Sequence, residues 1–167
     1  MAELTMYRRI LVTLEHSHYD EAILSHVQRL ARLCGASLRI IHVADGWVAR
    51  NIHELDLRES EEMRKDREYL EQVAADLESE GFEVEAILAT GDPSHEIADA
   101  AAREQCDLIA MSTHGHRFFG DLIYGSVADG VRHRSTVPVL LVRGEGGHHP
   151  ERSPHPTAPP PPLHPLP

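Results

Sequence analysis

LIAMSTHGHRFFGDLIYGSVADGV, residues 108–131, decides how the chain is read. It opens with an apolar run, Leu108-Ile-Ala-Met111, that reads as a strand, and helical spacing resumes at Val127, Ala128 and Val131. Between them lie Gly115, Gly120 and Gly125, the side chains of Ser112, Thr113, His114 and His116, and a Gly125-Ser126 pair that opens the helix. A strand, a glycine-bearing loop and a helix N-terminus in that order suit a bound phosphate. Glycines let backbone N–H groups come close to an anion, and the first helical turn adds free donors at the positive end of its dipole. Glycine spacing alone leaves this reading level with that of a long surface loop, and the rest of the chain separates the two.

Working outward, strand-like runs alternate with runs of helical spacing. Arg9–Leu14 (RILVTL) is continuously apolar, as expected for a strand buried on both faces. Residues 19–34 place Ile23, Val27, Leu30, Ala31 and Cys34 at helical spacing, with Gly35 as a stop. Ser37–Val43 is a second strand; residues 44–56 stay ambiguous, with Trp47 and Val48 as an edge cover or a short lid. Residues 57–80 spell a long helix with Met63, Leu70, Val73, Ala74 and Leu77 inward and a charged opposite face that reads as solvated.

Gly81 ends that helix and Phe82–Ala89 is a third strand. Asp92, Pro93 and Ser94 open a helix carrying Ile97, Ala98, Ala101 and Ala102. A fourth helix spans 125–134, and Val137–Val142 is a fifth strand in which Pro138 fits an edge position or a strand start. This alternation predicts an α/β fold: an open, five-stranded parallel sheet with right-handed crossovers and helices on both faces. Ligands in such sheets sit beyond the carboxyl ends of the strands, where strand order reverses. If the first and fourth strands are neighbours, the turn Glu15-His-Ser-His-Tyr19 therefore faces the 112–126 loop across one crevice.

At 167 residues the chain holds one domain with a full core, read as residues 1–146. Residues 147–167 contain nine of the eleven prolines and almost nothing to bury, so a disordered Pro/His-rich tail of polyproline II character is expected. A formal charge of −11 argues against a nucleic-acid surface but permits a local anion site built from backbone dipoles. Cys34 and Cys106 stand in no metal or redox spacing and read as packing residues in a reducing compartment. No segment approaches membrane-spanning length and MAELTMYRR has no apolar signal core, so the expectation is a cytoplasmic protein without a membrane partner.

Taken in order, these residues resemble the universal stress protein family over about residues 7–143. The likeness rests on RILVTLEHS at the first strand and turn, on His42-Val43 closing the second, and on Gly91-Asp-Pro-Ser-His-Glu-Ile leading to Cys106-Asp-Leu-Ile-Ala-Met. Its most specific part is Ser112-Thr-His-Gly115, nine residues, Gly125-Ser126, then Val-Ala-Asp and the closing Val137-Pro-Val-Leu-Leu-Val142. The resemblance implies a Rossmann-like, adenine-nucleotide alpha-hydrolase-like sheet of order 3-2-1-4-5 and a homodimer through the fifth strand, Val137 to Val142. An exposed edge as apolar as Val139–Val142 needs a cover in any case.

The family's ATP-binding branch uses G-x-x-G-(nine residues)-G-[S/T] for ribose and phosphates, which implies ATP with Mg²⁺ here. The implied site residues are Thr13, Leu14 and Glu15 at the acidic turn, and Val43 against adenine through its backbone. Along the motif they are Met111, Ser112, Gly115, His116, Arg117, Gly125, Ser126 and Val127. Ser126 Oγ serves as helix cap and phosphate donor together. Ser112 stands where the first motif glycine is expected, Glu15 where aspartate is usual, and His116 where a lysine or arginine is frequent, with Arg117 beside it. Glu15 either reaches Mg²⁺ through water or crowds the base; Phe118 and Phe119 pack over the base or shield the loop.

No Walker lysine follows the glycines, and neither a nucleophile elbow nor paired carboxylates at glycosidase spacing occur, so at most weak ATP hydrolysis is expected. The leading reading is a homodimeric regulator of the stress response that binds ATP or a related adenine nucleotide. The alternative, favoured by Ser112 and Glu15, is a dimeric interaction protein of the same family that binds no nucleotide. A metal site of His16, His18, His114 and His116 beside Glu15 is a third possibility. His42 reads as a hydrogen-bonded core histidine.

Overall fold

The computed structural model describes residues 5–45, 61–114 and 126–144. Along the chain these form β1 (Arg9–Thr13), α1 (Asp20–Cys34), β2 (Ser37–Asp45), α2 (Glu61–Ser79), β3 (Val84–Gly91), α3 (Pro93–Arg103), β4 (Leu108–His114), α4 (Ser126–Arg134) and β5 (Val139–Gly144). The strands are parallel and ordered β3-β2-β1-β4-β5, so β1 lies beside β4.

Residues Ile10 to Leu14 are all buried because both faces of the sheet are covered. Ile10, Val12, Leu38, Ile40 and Ala110 pack with Ile23 and Val27 of α1 and with Leu70 and Leu77 of α2. The alternate residues Leu11, Ile41, Ile109 and Met111 pack with Ile97 and Ala101 of α3 and Val131 of α4 on the other face. Each fully buried Ile or Leu contributes about 1.5–3 kcal/mol, against about 1 kcal/mol for an ordinary hydrogen bond. The two cores therefore dictate the sandwich, and polar contacts shape the loops. Cys34 packs against the first core and Cys106 lies in the second, both as free thiols with the sheet between them. Burial pushes the Cys106 thiol up to about 11, which suits a packing role.

Four strands run further than their apolar patterns suggest, β5 among them, which runs past Val142 to Gly144. β2 continues to Asp45, β3 to Gly91 and β4 to His114. Ser112, Thr113 and His114 lack apolar alternation, yet they pair with Val142, Arg143 and Gly144, since ladder hydrogen bonds need no apolar side chain. Phe82 precedes β3, with the Arg32 guanidinium 4.7 Å above its ring. Pro138 precedes β5, where its carbonyl accepts from Ile109 N–H, and β5 is an edge strand. The expected helical start at 57–60, Trp47, Val48 and the 147–167 tail lie outside the described residues. Among the described residues no helix is long and apolar enough to cross a membrane.

α3 and α4 touch through Gly130, where a Cβ would sit 2.7 Å from Ser94 Cβ. Gly130→Ala is expected to destabilise the fold by about 1–3 kcal/mol in urea denaturation, although alanine gains about 1 kcal/mol in an unconstrained helix. An unchanged or raised midpoint would count against this close contact.

Candidate functional site

The register of the sheet opens a notch at the carboxyl end of β1. Thr13, its last paired residue, lies opposite Ile41, and β2 runs on to Asp45. On the other side Val12 lies opposite Ala110, and β4 runs on to His114. Adjacent strands are about 4.8 Å apart, so beyond the end of β1 its two neighbours face one another across roughly 10 Å. Each wall is held from outside: Val43 to Asp45 pair with Ala89 to Gly91 of β3, and Ser112 to His114 pair with β5. The notch stands at the point where strand order reverses, the position expected for a ligand in an open α/β sheet.

The chain leaves this notch through a turn closed by Asp20. Leu14 N–H still donates to the Ile41 carbonyl at 2.8 Å. Glu15 and Ser17 then donate their N–H groups to the Asp20 carboxylate at 3.0 and 3.2 Å, and Tyr69 Oη of α2 donates to it at 2.7 Å. Asp20 is only 2 % exposed, and these donors are what make a carboxylate tolerable there. Burial first, and the Asp20 carboxylate second, push the Tyr69 phenol up, so it stays a donor at any physiological pH. His16 sits in the middle of the turn with φ +57°, a left-handed conformation that costs a non-glycine residue on the order of 1–3 kcal/mol. Its side chain supplies compensation: the ring stacks on Tyr69 at 4.2 Å, and Nδ1 lies 2.7 Å from Asp66 Oδ1.

Several of the residues singled out in the sequence converge on the notch. Thr13 and Leu14 are buried at its base and Glu15 is exposed beside them. Met111 is buried and Val43 partly buried in the core on the α3 and α4 side, where Val127 also packs, so the first turn of α4 (Ser126, Val127) belongs to the same end of the sheet. Ser112 lies half-buried in β4, and its buried Oγ has no hydrogen-bond partner among the described residues. Gly115, His116, Arg117 and Gly125, with Phe118, Phe119 and the His114 side chain, lie outside the described residues.

Other readings resolve locally. His42 is 13 % exposed and bonds through Nδ1 to the Leu14 carbonyl at 2.9 Å, as a core histidine should. Asp92 caps α3, accepting from His95 N–H at 2.9 Å and Ser94 Oγ at 2.6 Å with Pro93 in the first turn. The Ser94 hydroxyl, then the His95 N–H, hold the Asp92 carboxyl below the usual range. His16 and His18 part company: His16 turns to Asp66, and the His18 ring lies 3.9 Å from the Tyr19 ring. Among the described residues no three His, Cys, Asp or Glu side chains are grouped to hold a metal. A shallow groove of about 420 Å³ runs between α1 and α2, but Glu21, Asp76 and Glu80 line it and would repel phosphate.

Asp66 and Tyr69 were not legible as partners of the turn, because they sit within a charged helix whose outer face reads as solvated. One signal was available. Met63, Asp66, Leu70, Val73 and Leu77 follow one another at spacings of three and four, which puts Asp66 on the inward stripe. A carboxylate there needs a partner from another element, and Asp66 has two histidines.

The profile of the universal stress protein family matches residues 6–143. Universal stress protein MJ0577 of Methanocaldococcus jannaschii is 26% identical over 155 residues, covering 83% of this chain and 96% of the relative. The solved structure of hypothetical protein MJ0577 superposes with a TM-score of 0.69 at 30% identity, covering 84% of this chain and 99% of that one. The universal stress protein from Archaeoglobus fulgidus, solved in complex with dAMP, matches with a TM-score of 0.60 at 23% identity, covering 81% and 98%.

Proposed function

The chain belongs to the universal stress protein family, and from that premise we propose that it binds ATP or a related adenine nucleotide, with Mg²⁺, as a homodimeric regulator in the stress response. The observation that carries the reading is the notch: a short β1 between two longer neighbours, with Glu15, Val43, Ser112 and the α4 N-terminus at its rim. The backbone of Val43 would flank the adenine, Ser126 and the glycine loop would take the phosphates, and Glu15 would face the metal. A buried Ser112 hydroxyl with no partner among the described residues fits a hydrogen-bonding ligand at this end of the sheet. The dAMP complex of the Archaeoglobus fulgidus protein supports an adenine nucleotide. For the homodimer, the support is β5, an edge strand on which Leu141 stays 51% exposed.

Native mass spectrometry of the full chain tests both parts. The expected species is a dimer that carries adenine nucleotide after incubation with Mg-ATP, with micromolar affinity by calorimetry. A bare species at saturating Mg-ATP rejects the nucleotide, and a monomer rejects the β5 pairing. A second reading, a dimeric interaction protein without nucleotide, is favoured by Ser112, whose side chain occupies a motif position that is usually glycine.

A further inference from the structure

The turn that carries Glu15 is gripped from α2. Asp66 Oδ1 is 2.7 Å from His16 Nδ1, and Asp66 Oδ2 is 3.4 Å from His42 Nε2. His42 Nδ1 faces the Leu14 carbonyl, which can only accept, so Nδ1 carries the proton and it is Nε2 that looks toward Asp66. One turn along the same helix face, Tyr69 stacks on the His16 ring and donates to Asp20, which holds the Glu15 and Ser17 N–H groups. Two side chains of α2 thus bear on segment 14–17: Asp66 directly at His16 and through His42 at the Leu14 carbonyl, Tyr69 directly at the His16 ring and through Asp20 at the Glu15 amide. The Glu15 side chain is the exposed end of this arrangement, at the notch.

We propose that Asp66 is a positioning residue for nucleotide binding: through His16 and His42 it sets the Glu15 turn in the conformation that meets the nucleotide. The inference rests on the nucleotide reading above. Geometry separates this role from a charge effect. A carboxylate near a triphosphate is repulsive, so loss of charge alone would strengthen ATP binding. Asparagine keeps the shape: its Oδ1 accepts from His16 Nδ1–H, and its side-chain amide takes the place of Oδ2 beside His42. Alanine keeps neither contact and leaves His16 in its strained conformation with only the Tyr69 stack.

The test titrates Mg-ATP into the full-length wild type, Asp66→Ala and Asp66→Asn by calorimetry, with ligand-free ¹⁵N spectra of the histidine rings recorded on the same samples. The expected result is a roughly tenfold loss of affinity in Asp66→Ala and affinity within about threefold of wild type in Asp66→Asn. The His16 and His42 ring signals should move in the alanine variant. If the wild type binds and Asp66→Ala binds equally well, the positioning role is wrong while the nucleotide reading stands. Tighter binding in both variants makes Asp66 a charge effect, and equal losses in both show that side-chain shape does not carry the role; either result overturns the positioning role as well. A wild type that takes up no Mg-ATP overturns the nucleotide reading and this role with it.

Discussion

Gly125→Val should weaken Mg-ATP binding about 100-fold in calorimetry, and Gly115→Val by a comparable factor. Both glycines belong to the motif that leads from β4 into α4, whose bare backbone N–H groups are the phosphate donors in the proposed site. A branched Cβ holds the anion away from them, and two charge-assisted hydrogen bonds of about 1.5 kcal/mol each amount to about 3 kcal/mol, or roughly 100-fold. Folding should survive, because α4 is anchored by Val127 and Val131 in the core beneath it. Gly120→Val is the control: it lies in the same loop but outside the motif, and its affinity should stay within about threefold. Heats identical to wild type in both motif variants would remove the phosphate assignment.

Asp20→Ala should produce the largest loss of stability among the polar substitutions considered. The carboxylate is buried and takes hydrogen bonds from Glu15 N–H, Ser17 N–H and Tyr69 Oη. Removing it leaves two backbone donors and a phenol without an acceptor beneath the first turn of α1. Stranded buried donors cost about 1–3 kcal/mol each, and partial rehydration brings the sum to about 3–5 kcal/mol. For a domain of this size that is a fall in Tm of roughly 10 °C by calorimetry. Tyr69→Phe removes one donor and leaves the carboxylate with the others, so it should cost roughly 1–2 kcal/mol. A Tm within about 3 °C of wild type for Asp20→Ala would mean that the turn does not depend on this carboxylate.

The two predictions differ in where they were visible. The role proposed for Gly115 and Gly125 comes from the sequence, because it would depend on backbone freedom at fixed spacing, a local property. Asp20 was not legible there: nothing local singles it out, since an acidic residue in the first turn of a helix is favoured by the dipole without any other partner. Its burial depends on Tyr69, some fifty residues away on another helix.

The same division holds across the chain. Element order, burial of β1 on both faces and the Asp92 cap were determined by the sequence alone. Each follows from periodicity or backbone chemistry within a few residues. The tertiary structure alone decided that β2 and β4 overrun β1, that His16 and His42 share Asp66, and that Ser112 keeps a buried hydroxyl without a partner among the described residues. Strand ends are set by what pairs alongside them, and a polar side chain's role is set by which distant group arrives within about 3 Å. Local composition carries neither, because both arise only when segments far apart in the chain are packed against one sheet.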